Sequence, residues 1–481
     1  MSLFTSTELV SMGRHIPTPF SIEIESEQGA LQLKVDSLLR IVPGRRLVGL
    51  TTWQDQTVVV KLFINSNRWK RTMLRDINGI NTLRQARIPT PNLLLQTNTL
   101  DNKAGALLIE YLHQGSSLAA LLEEAATDEA RAEVLEMGVK TLAACHKAGL
   151  WQEDMHLGNF MLAADVVYVL DGGDIKSRDK PLDDETRLRN FARFLAQFPV
   201  EQDESWPLLV ELYRLDAPDL EEGSTAALGQ MIVEARRKRL ASFQRKLNRS
   251  TSASRSESKL NSFYVYDRSI HSAELERFLG DPDSFIATGQ LLKAGNSSTV
   301  AVVRIDERSF VLKRYNIKSF WHGVSRAFRP SRAHNSWRSA SLLEMLGVAT
   351  AHPYLYLEER FLWFFRRRAY FLCEFIEGSD LATAWQKGES ASDASEVLSQ
   401  FRELFKVFSD YRISHGDMKA TNFLFTDGRL HVLDLDAMKR GGSRSNFAER
   451  YNKDLKRFKQ NWVGTPLETE VDELLVEAAE Y

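Results

Sequence analysis

Cysteine is almost missing from this sequence: Cys145 and Cys373 are the only two in 481 residues. Two thiols cannot build a disulfide framework, neither has a metal-ligating neighbour at a fixed spacing, and a reducing compartment is expected. An excess of one charge is missing too. Lys and Arg total 62 against 64 Asp and Glu, a formal net charge of -2, so no nucleic-acid partner is indicated. Long apolar runs are likewise missing. The densest cluster, FLWFF from Phe361 to Phe365, is closed by Arg366, Arg367 and Arg368; it reads as a buried strand running into a basic turn and is too short to span a bilayer. The opening MSLFTSTELVSMGRH has no apolar stretch of a signal peptide, and a cytoplasmic protein is expected.

What is present is ordinary in bulk and unusual in order. Hydrophobic residues make up 43 % and charged residues 26 %, as in a soluble globular protein, and 481 residues exceed what one hydrophobic core serves, so two domains are expected. A repeat says the same. In QEDMHLGNF and the following YVLDGGD, Asp154 is followed five residues later by Asn159 and twelve after that by Asp171; in HGDMKATNF and HVLDLD, Asp417, Asn422 and Asp434 keep the same spacings. Upstream, VVVKLF carries Lys61 and FVLKRYN carries Lys313. The lysines lie 252 residues apart and each of the other three pairs 263 apart.

Apolar patterning places these residues on similar elements. Residues 33–64 read as strands, Trp69–Gln85 as a helix, 106–112 as a strand, and the stretch from Leu118 to Leu150 as helical. The second half repeats the order: strands around Ala301 to Tyr315, a helix from about His334 to Leu346, the strand AYFLCEFIEG, and a helix from Ala391 to Tyr411. Between the halves, Arg236 to Lys259 holds nine Lys or Arg, one acid and many serines, and reads as a helix tail entering a flexible linker. The expected division is 1–247, a basic Ser-rich linker at 248–262, and 263–481, with β-rich N-lobes ending near residues 113 and 378.

Each Asp or Asn alone is equally at home capping a turn. Four residues in one order, twice, ask for more. Phosphoryl transfer from ATP needs a Lys on a strand to steady phosphates, a carboxylate to receive the acceptor proton, and an Asn and a second Asp to hold divalent metal. Asp154 and Asp417 fit the base; Asn159, Asp171, Asn422 and Asp434 fit the metal ligands; Lys61 and Lys313 fit the phosphate lysine. Asp76, on the helix after the lysine strand, is the candidate ion-pair partner for Lys61. The fold class read from this is α+β, two tandem protein-kinase-like domains, each a small β-rich N-lobe and a helical C-lobe. The stretches VPGRRLVG and KAGNSSTV resemble a phosphate loop only loosely and serve equally well as hairpin turns.

Together, SWRSASLLEMLGVATAHP, SHGDMKATNFLF, HVLDLDAMK, LRQARIPTPNLL, HKAGLWQEDMHLGNFML and VLDGGD resemble the bacterial lipopolysaccharide core kinases, including the InaA-like proteins and the heptose and Kdo kinases. The resemblance covers both halves. It implies ATP and Mg²⁺, a sugar hydroxyl of the lipopolysaccharide inner core or its lipid-linked precursor as acceptor, and peripheral work at the inner face of the inner membrane. After Asp171 and Asp434, helix-like sequence returns within about twenty residues with no APE-like signature, which argues against a peptide groove. His156 and Lys419 follow the two base aspartates by two residues; His there is the sugar-kinase habit and Lys the protein-kinase one, and His156 also suits simple loop orientation.

The two copies depart from the pattern in different places. Ser336 and Trp337 fill the region of the missing second helix acid, Glu344 is a doubtful substitute, and Gln152 stands where the second copy has His415. The basic stretch between the halves suits either an anionic bilayer or plain solvation. Arg366 to Arg368 and KRGGSR suit core phosphates or an ordinary surface. Two rivals stay open: a kinase of a protein or soluble small molecule, and a nucleotide-binding pseudokinase scaffold in envelope biogenesis.

Overall fold

The computed structural model describes the chain except residues 1, 28, 65–66, 221, 317–329, 362–364, 387–390 and 481. It is a mixed α+β protein that divides into two compact units, 1–197 with 204–232 and 198–203 with 233–481. Each unit has a seven-stranded sheet followed by helices.

In the first unit the strand order is Ser2–Leu3, Phe20–Ser26, Gly29–Val42, Arg46–Trp53, Gln56–Phe63, Gly105–Glu110, Leu93–Asn98. In the second it is Ser254–Ser258, Ser262–Asp267, Pro353–Phe361, Phe365–Glu374, Arg308–Tyr315, Ser298–Ile305, Gln290–Ala294. Five strands correspond, and the two extra ones extend opposite edges. Chain alternation decides which side chains face the lysine. Along QTVVVKLF, Val58, Val60 and Leu62 face a core with Phe20, Ile22 and Leu47, while Lys61 and Phe63 face the other way, where Phe63 packs with Trp69, Ile77 and Ile80. Val48 and Leu107 flank Lys61 in register, as Val300 and Phe371 flank Lys313.

The stretch expected to be a flexible linker is different. Ser254–Ser258 pairs antiparallel with Ser262–Asp267, which pairs with Pro353–Phe361, so 254–267 forms the edge of the second sheet. The division between units falls at Ile232 and Val233 instead. Composition misleads here because an edge strand satisfies one backbone side by pairing and leaves the other to water, which tolerates serine and charge. The basic helix tail is also partly internal. Arg236 is 1 % exposed, its guanidinium held by Asp203 at 2.8 and 2.6 Å and by the Tyr411 hydroxyl at 2.7 Å. The cluster Phe361 to Phe365 lies largely outside the described residues, as does the Arg366 side chain; Arg368 pairs with Asp283 at 2.6 Å.

Both units follow the sheet with a helix, a short strand, a tight turn and a hairpin. The helices Asp128–Lys147 and Ala391–Asp410 lead to strands Leu150–Gln152 and Ile413–Ser414. Then Phe160–Ala163 pairs with Val166–Val169, and Phe423–Thr426 with Arg429–Val432. The two turn residues of each hairpin, Ala164 with Asp165 and Asp427 with Gly428, have positive φ, the geometry that matches strand twist in two-residue loops. Helices Asp184–Leu195 and Arg444–Lys459 come next, capped by Asp183 and Ser443, contacts worth about 1 kcal/mol each.

Candidate active site

The repeated spacing is built by hydrogen bonds. A 3₁₀ turn carries the chain from each loop Asp to its Asn, and the Asn Nδ2 closes it by donating to the Asp carbonyl: Asn159 to Asp154 at 3.0 Å, Asn422 to Asp417 at 2.8 Å. Two four-residue strands and a two-residue turn then fill most of the twelve residues to the next Asp. The N–H of Leu170 donates to the Asn159 carbonyl at 2.7 Å, and that of Leu433 to Asn422 at 2.8 Å, clamping the hairpin's end beside its beginning. Asp171 and Asp434 follow at once, both left-handed with φ of 60° and 56°. Backbone strain of this kind costs about 1–3 kcal/mol and persists where surroundings impose it.

The residue that opens each loop differs in kind and agrees in action. His415 Nε2 donates to the Leu433 carbonyl at 3.0 Å, and Gln152 Nε2 donates to the Leu170 carbonyl at 3.2 Å. Burial lowers the pKa of His415, so it is a neutral ring whose Nδ1 accepts from the Asp417 N–H at 3.3 Å. His156 Nδ1 accepts from the Gly158 N–H at 2.8 Å, a loop-orienting contact, whereas Lys419 Nζ reaches Asp417 Oδ2 at 2.6 Å.

In the first unit, Lys61 Nζ lies 2.9 Å from Asp76 Oδ2 and 3.6 Å from Asp171 Oδ1. The structure thus brings Lys61, Asp76 and Asp171 together across 110 residues. Arg46, which spacing did not single out, joins them: its Nη1 and Nη2 reach the two Asp171 oxygens at 3.2 and 3.4 Å. Burial alone raises the Asp171 pKa, but the charges of Lys61 and Arg46 outweigh it and hold it below the usual carboxylate range. Asp174 moves the other way, raised by burial and by the nearby charges of Asp171 and Asp154. The helix Trp69–Gln85 reaches this turn through glycines. A Cβ on Gly79 would lie 2.7 Å from Gly172 Cα and closer still to its carbonyl.

In the second unit, Lys313 Nζ pairs with Asp434 and, at 3.1 Å, with Asp436. Burial raises Asp434, and the Lys313 charge and hydrogen bond more than reverse it, leaving its pKa lowered. Glu344 is not the lysine's partner: its carboxylate binds His352 Nδ1 at 2.6 Å. Ser298 stands in register where the first unit has Arg46, opposite Tyr315 as Arg46 is opposite Phe63. The second unit's arginine comes from elsewhere and goes elsewhere, with Arg332 Nη2 on Asp436 Oδ2 at 2.7 Å.

Asp454 was also invisible to motif spacing. On the helix Arg444–Lys459, it accepts from the N–H groups of His415 at 2.6 Å and Gly416 at 2.9 Å, fixing the start of the Asp417 loop. Burial raises its pKa to about 6, against the pull of those two donors. In the first unit the corresponding helix offers Asn190, which donates to the Gln152 carbonyl at 2.8 Å and accepts from His146 at 2.9 Å.

As a cation site, Asn422 and Asp434 supply an amide and a carboxylate, oxygen donors suited to a hard divalent ion shared with phosphates. The Asn422 Nδ2 is committed to the loop, which turns the amide oxygen away from that bond, and the Asp434 side chain is 37 % exposed. These residues fit such an ion. Asp171 is 18 % exposed and meets the Arg46 guanidinium through both of its oxygens, so Arg46 occupies the carboxylate that the spacing assigns to an ion in the first unit.

The model of the lipopolysaccharide kinase (Kdo/WaaP) family matches residues 288–474, a span holding Lys313, Asp417, Asn422, Asp434 and Asp454. Among solved structures, the chain is similar to WaaP in complex with acyl carrier protein, at 17 % identity over 44 % of this chain and 87 % of that one, with a TM-score of 0.33. It is similar to a rhoptry kinase from Toxoplasma gondii, at 14 % identity, 37 % and 57 % coverage and a TM-score of 0.28. It is also similar to the PknI kinase domain of Mycobacterium tuberculosis, at 14 % identity, 34 % and 70 % coverage and a TM-score of 0.25. No curated protein matches the chain. Residues 288–474 thus match the lipopolysaccharide kinase (Kdo/WaaP) family, and the chain is a kinase, a phosphotransferase whose donor is ATP.

Proposed function

We propose that the protein phosphorylates a sugar hydroxyl, on heptose or Kdo, of the lipopolysaccharide inner core or its lipid-linked precursor, with ATP and Mg²⁺. The work is done in the cytoplasm at the inner face of the inner membrane. The observation that carries this reading is the Lys313–Asp434 ion pair inside the family-matched span, which joins residues 121 apart beside the Asp417 loop.

Lys313 steadies the ATP phosphates. Asn422 and Asp434 would hold Mg²⁺, which would supply positive charge to offset that of the ATP phosphates. Asp417 accepts the acceptor hydroxyl's proton as the new oxygen–phosphorus bond forms and the bond to ADP breaks. Lys419 holds the Asp417 carboxylate, and His415 and Asp454 fix the loop backbone. Among the described residues no helix is long and apolar enough to cross a membrane, which suits a peripheral role.

One observation favours a second reading for the first unit, that of a kinase-like domain with weak or no turnover. Its Lys61, Asp154, Asn159 and Asp171 repeat the set, but Arg46 neutralises both oxygens of Asp171. The test is transfer of labelled phosphate from ATP to purified core oligosaccharide, set beside a generic protein and free sugars. Transfer to core sugar that survives Asp154→Asn and is lost in Asp417→Asn supports both readings. Label entering only protein or free sugar would end the first, and loss in Asp154→Asn alone would end the second.

A further inference from the structure

The two lysines are each met by two carboxylates, and in each unit one of them comes from the turn aspartate, Asp171 or Asp434. The other comes from different parts of the chain. In the first unit it is Asp76, on the helix. In the second it is Asp436, on the turn. Asp436 is 263 residues beyond Gly173, the same offset that relates the turn aspartates, and Ser336 is 260 beyond Asp76. The 260 offset holds for other contacts of the same segment. Arg75 Nη2 donates to the Gly173 carbonyl at 2.5 Å and Asn335 Nδ2 to the Asp436 carbonyl at 2.7 Å, while Thr90 and Thr350 donate to the Val169 and Val432 carbonyls at 2.8 and 2.6 Å.

The exchange is reciprocal for a steric reason. A Cβ on Gly173 would collide with Asp76 Oδ1. The space beside the lysine therefore holds one carboxylate, entering from the helix or from the turn. Where the turn supplies it, the helix position is a short serine that turns instead to the Tyr315 hydroxyl at 2.9 Å. Asp436 is held in place by Arg332 and its side chain is 6 % exposed. A second carboxylate from Ser336 would meet it.

We infer that Asp436 is the positioning residue for Lys313, replacing the helix acid of the first unit through a paired exchange, Asp76 with Gly173 for Ser336 with Asp436. This rests on the kinase reading of the second unit. Asp436 acts through Lys313 and does not itself touch the reacting atoms.

The test uses the full chain with Lys61→Met, so that the second unit dominates nucleotide binding, and reads ATP affinity by calorimetry together with transfer to core oligosaccharide. Asp436→Gly should cut kcat by about 10²-fold, as expected when a reacting group is misplaced by about 1 Å, and weaken ATP about tenfold. Adding Ser336→Asp to Asp436→Gly should recover at least about tenfold in kcat and most of the affinity, a rescue that a merely structural Asp436 would not give. Unchanged ATP affinity and kcat in Asp436→Gly, or a loss that Ser336→Asp fails to recover while the unfolding midpoint stays normal, overturns the inference. If the parent chain binds ATP but transfers nothing to core sugar, the acceptor assignment has failed, and ATP affinity alone still decides the role of Asp436.

Discussion

Gly79→Ala sets two effects of opposite sign against each other. Gly79 lies in the interior of helix Trp69–Gln85, where replacing Gly by Ala normally stabilises by about 1 kcal/mol because alanine loses less backbone freedom on folding. Here the added Cβ would lie 2.7 Å from Gly172 Cα, against ordinary contact at about 3.4–4 Å, and its neighbours are backbone atoms that cannot swing aside. Overpacking typically costs about 1–3 kcal/mol where side chains can adjust. With backbone on backbone, the cost is at least about 3 kcal/mol, so the steric effect wins by about 2 kcal/mol. For a unit of this size that lowers the calorimetric midpoint by roughly 4–8 °C. Separating the helix from the turn by about 1 Å also draws Asp76 away from Lys61, now 2.9 Å apart, and weakens ATP binding in the first unit. Ser339→Ala, at the corresponding place in the second unit, is the control and should change little. A Gly79→Ala chain that melts higher than the parent would refute the close approach of this helix to the Asp171 turn.

Asp417→Asn keeps the shape of the proposed base while removing its charge; ATP should bind as before in calorimetry while transfer falls by roughly 10²–10⁴-fold. Arg46→Ser, which copies Ser298, should make ATP binding in the first unit more responsive to added Mg²⁺; identical titrations with and without the ion in parent and variant would remove Arg46 as the ion's competitor. For Asp454, the native pKa of about 6 lies above the unfolded value of about 3.9. The folded state holds the extra proton between these values, so this group's contribution is complete at about pH 4 and is lost as pH rises to about 6, on the order of 2–3 kcal/mol. Chemical denaturation of Asp454→Asn should therefore show the variant gaining on the parent between about pH 4 and pH 6; parallel curves would show that Asp454 is not shifted in this direction.

The sequence by itself determined the local elements and the order of the chemistry. The helix at Trp69–Gln85 and the strand around Lys61 follow from apolar period and length, and both stand as read. The Asp–Asn–Asp spacing was legible because it is local: a turn closed by one amide and a hairpin of fixed length leave the chain no other count. Tertiary structure decided what spacing cannot carry. Which acid meets Lys313 depended on whether a helix or a turn fills one small space, and the only trace in the sequence was DLD against DGG. Arg46 and Asp454 come from elements remote in sequence, each brought in by packing, with no periodic signal to mark it. The residues 254–267 looked like a linker because serine and charge predict solvent contact, and only the neighbouring strand Pro353–Phe361 supplied the backbone partners that turned that composition into a sheet edge.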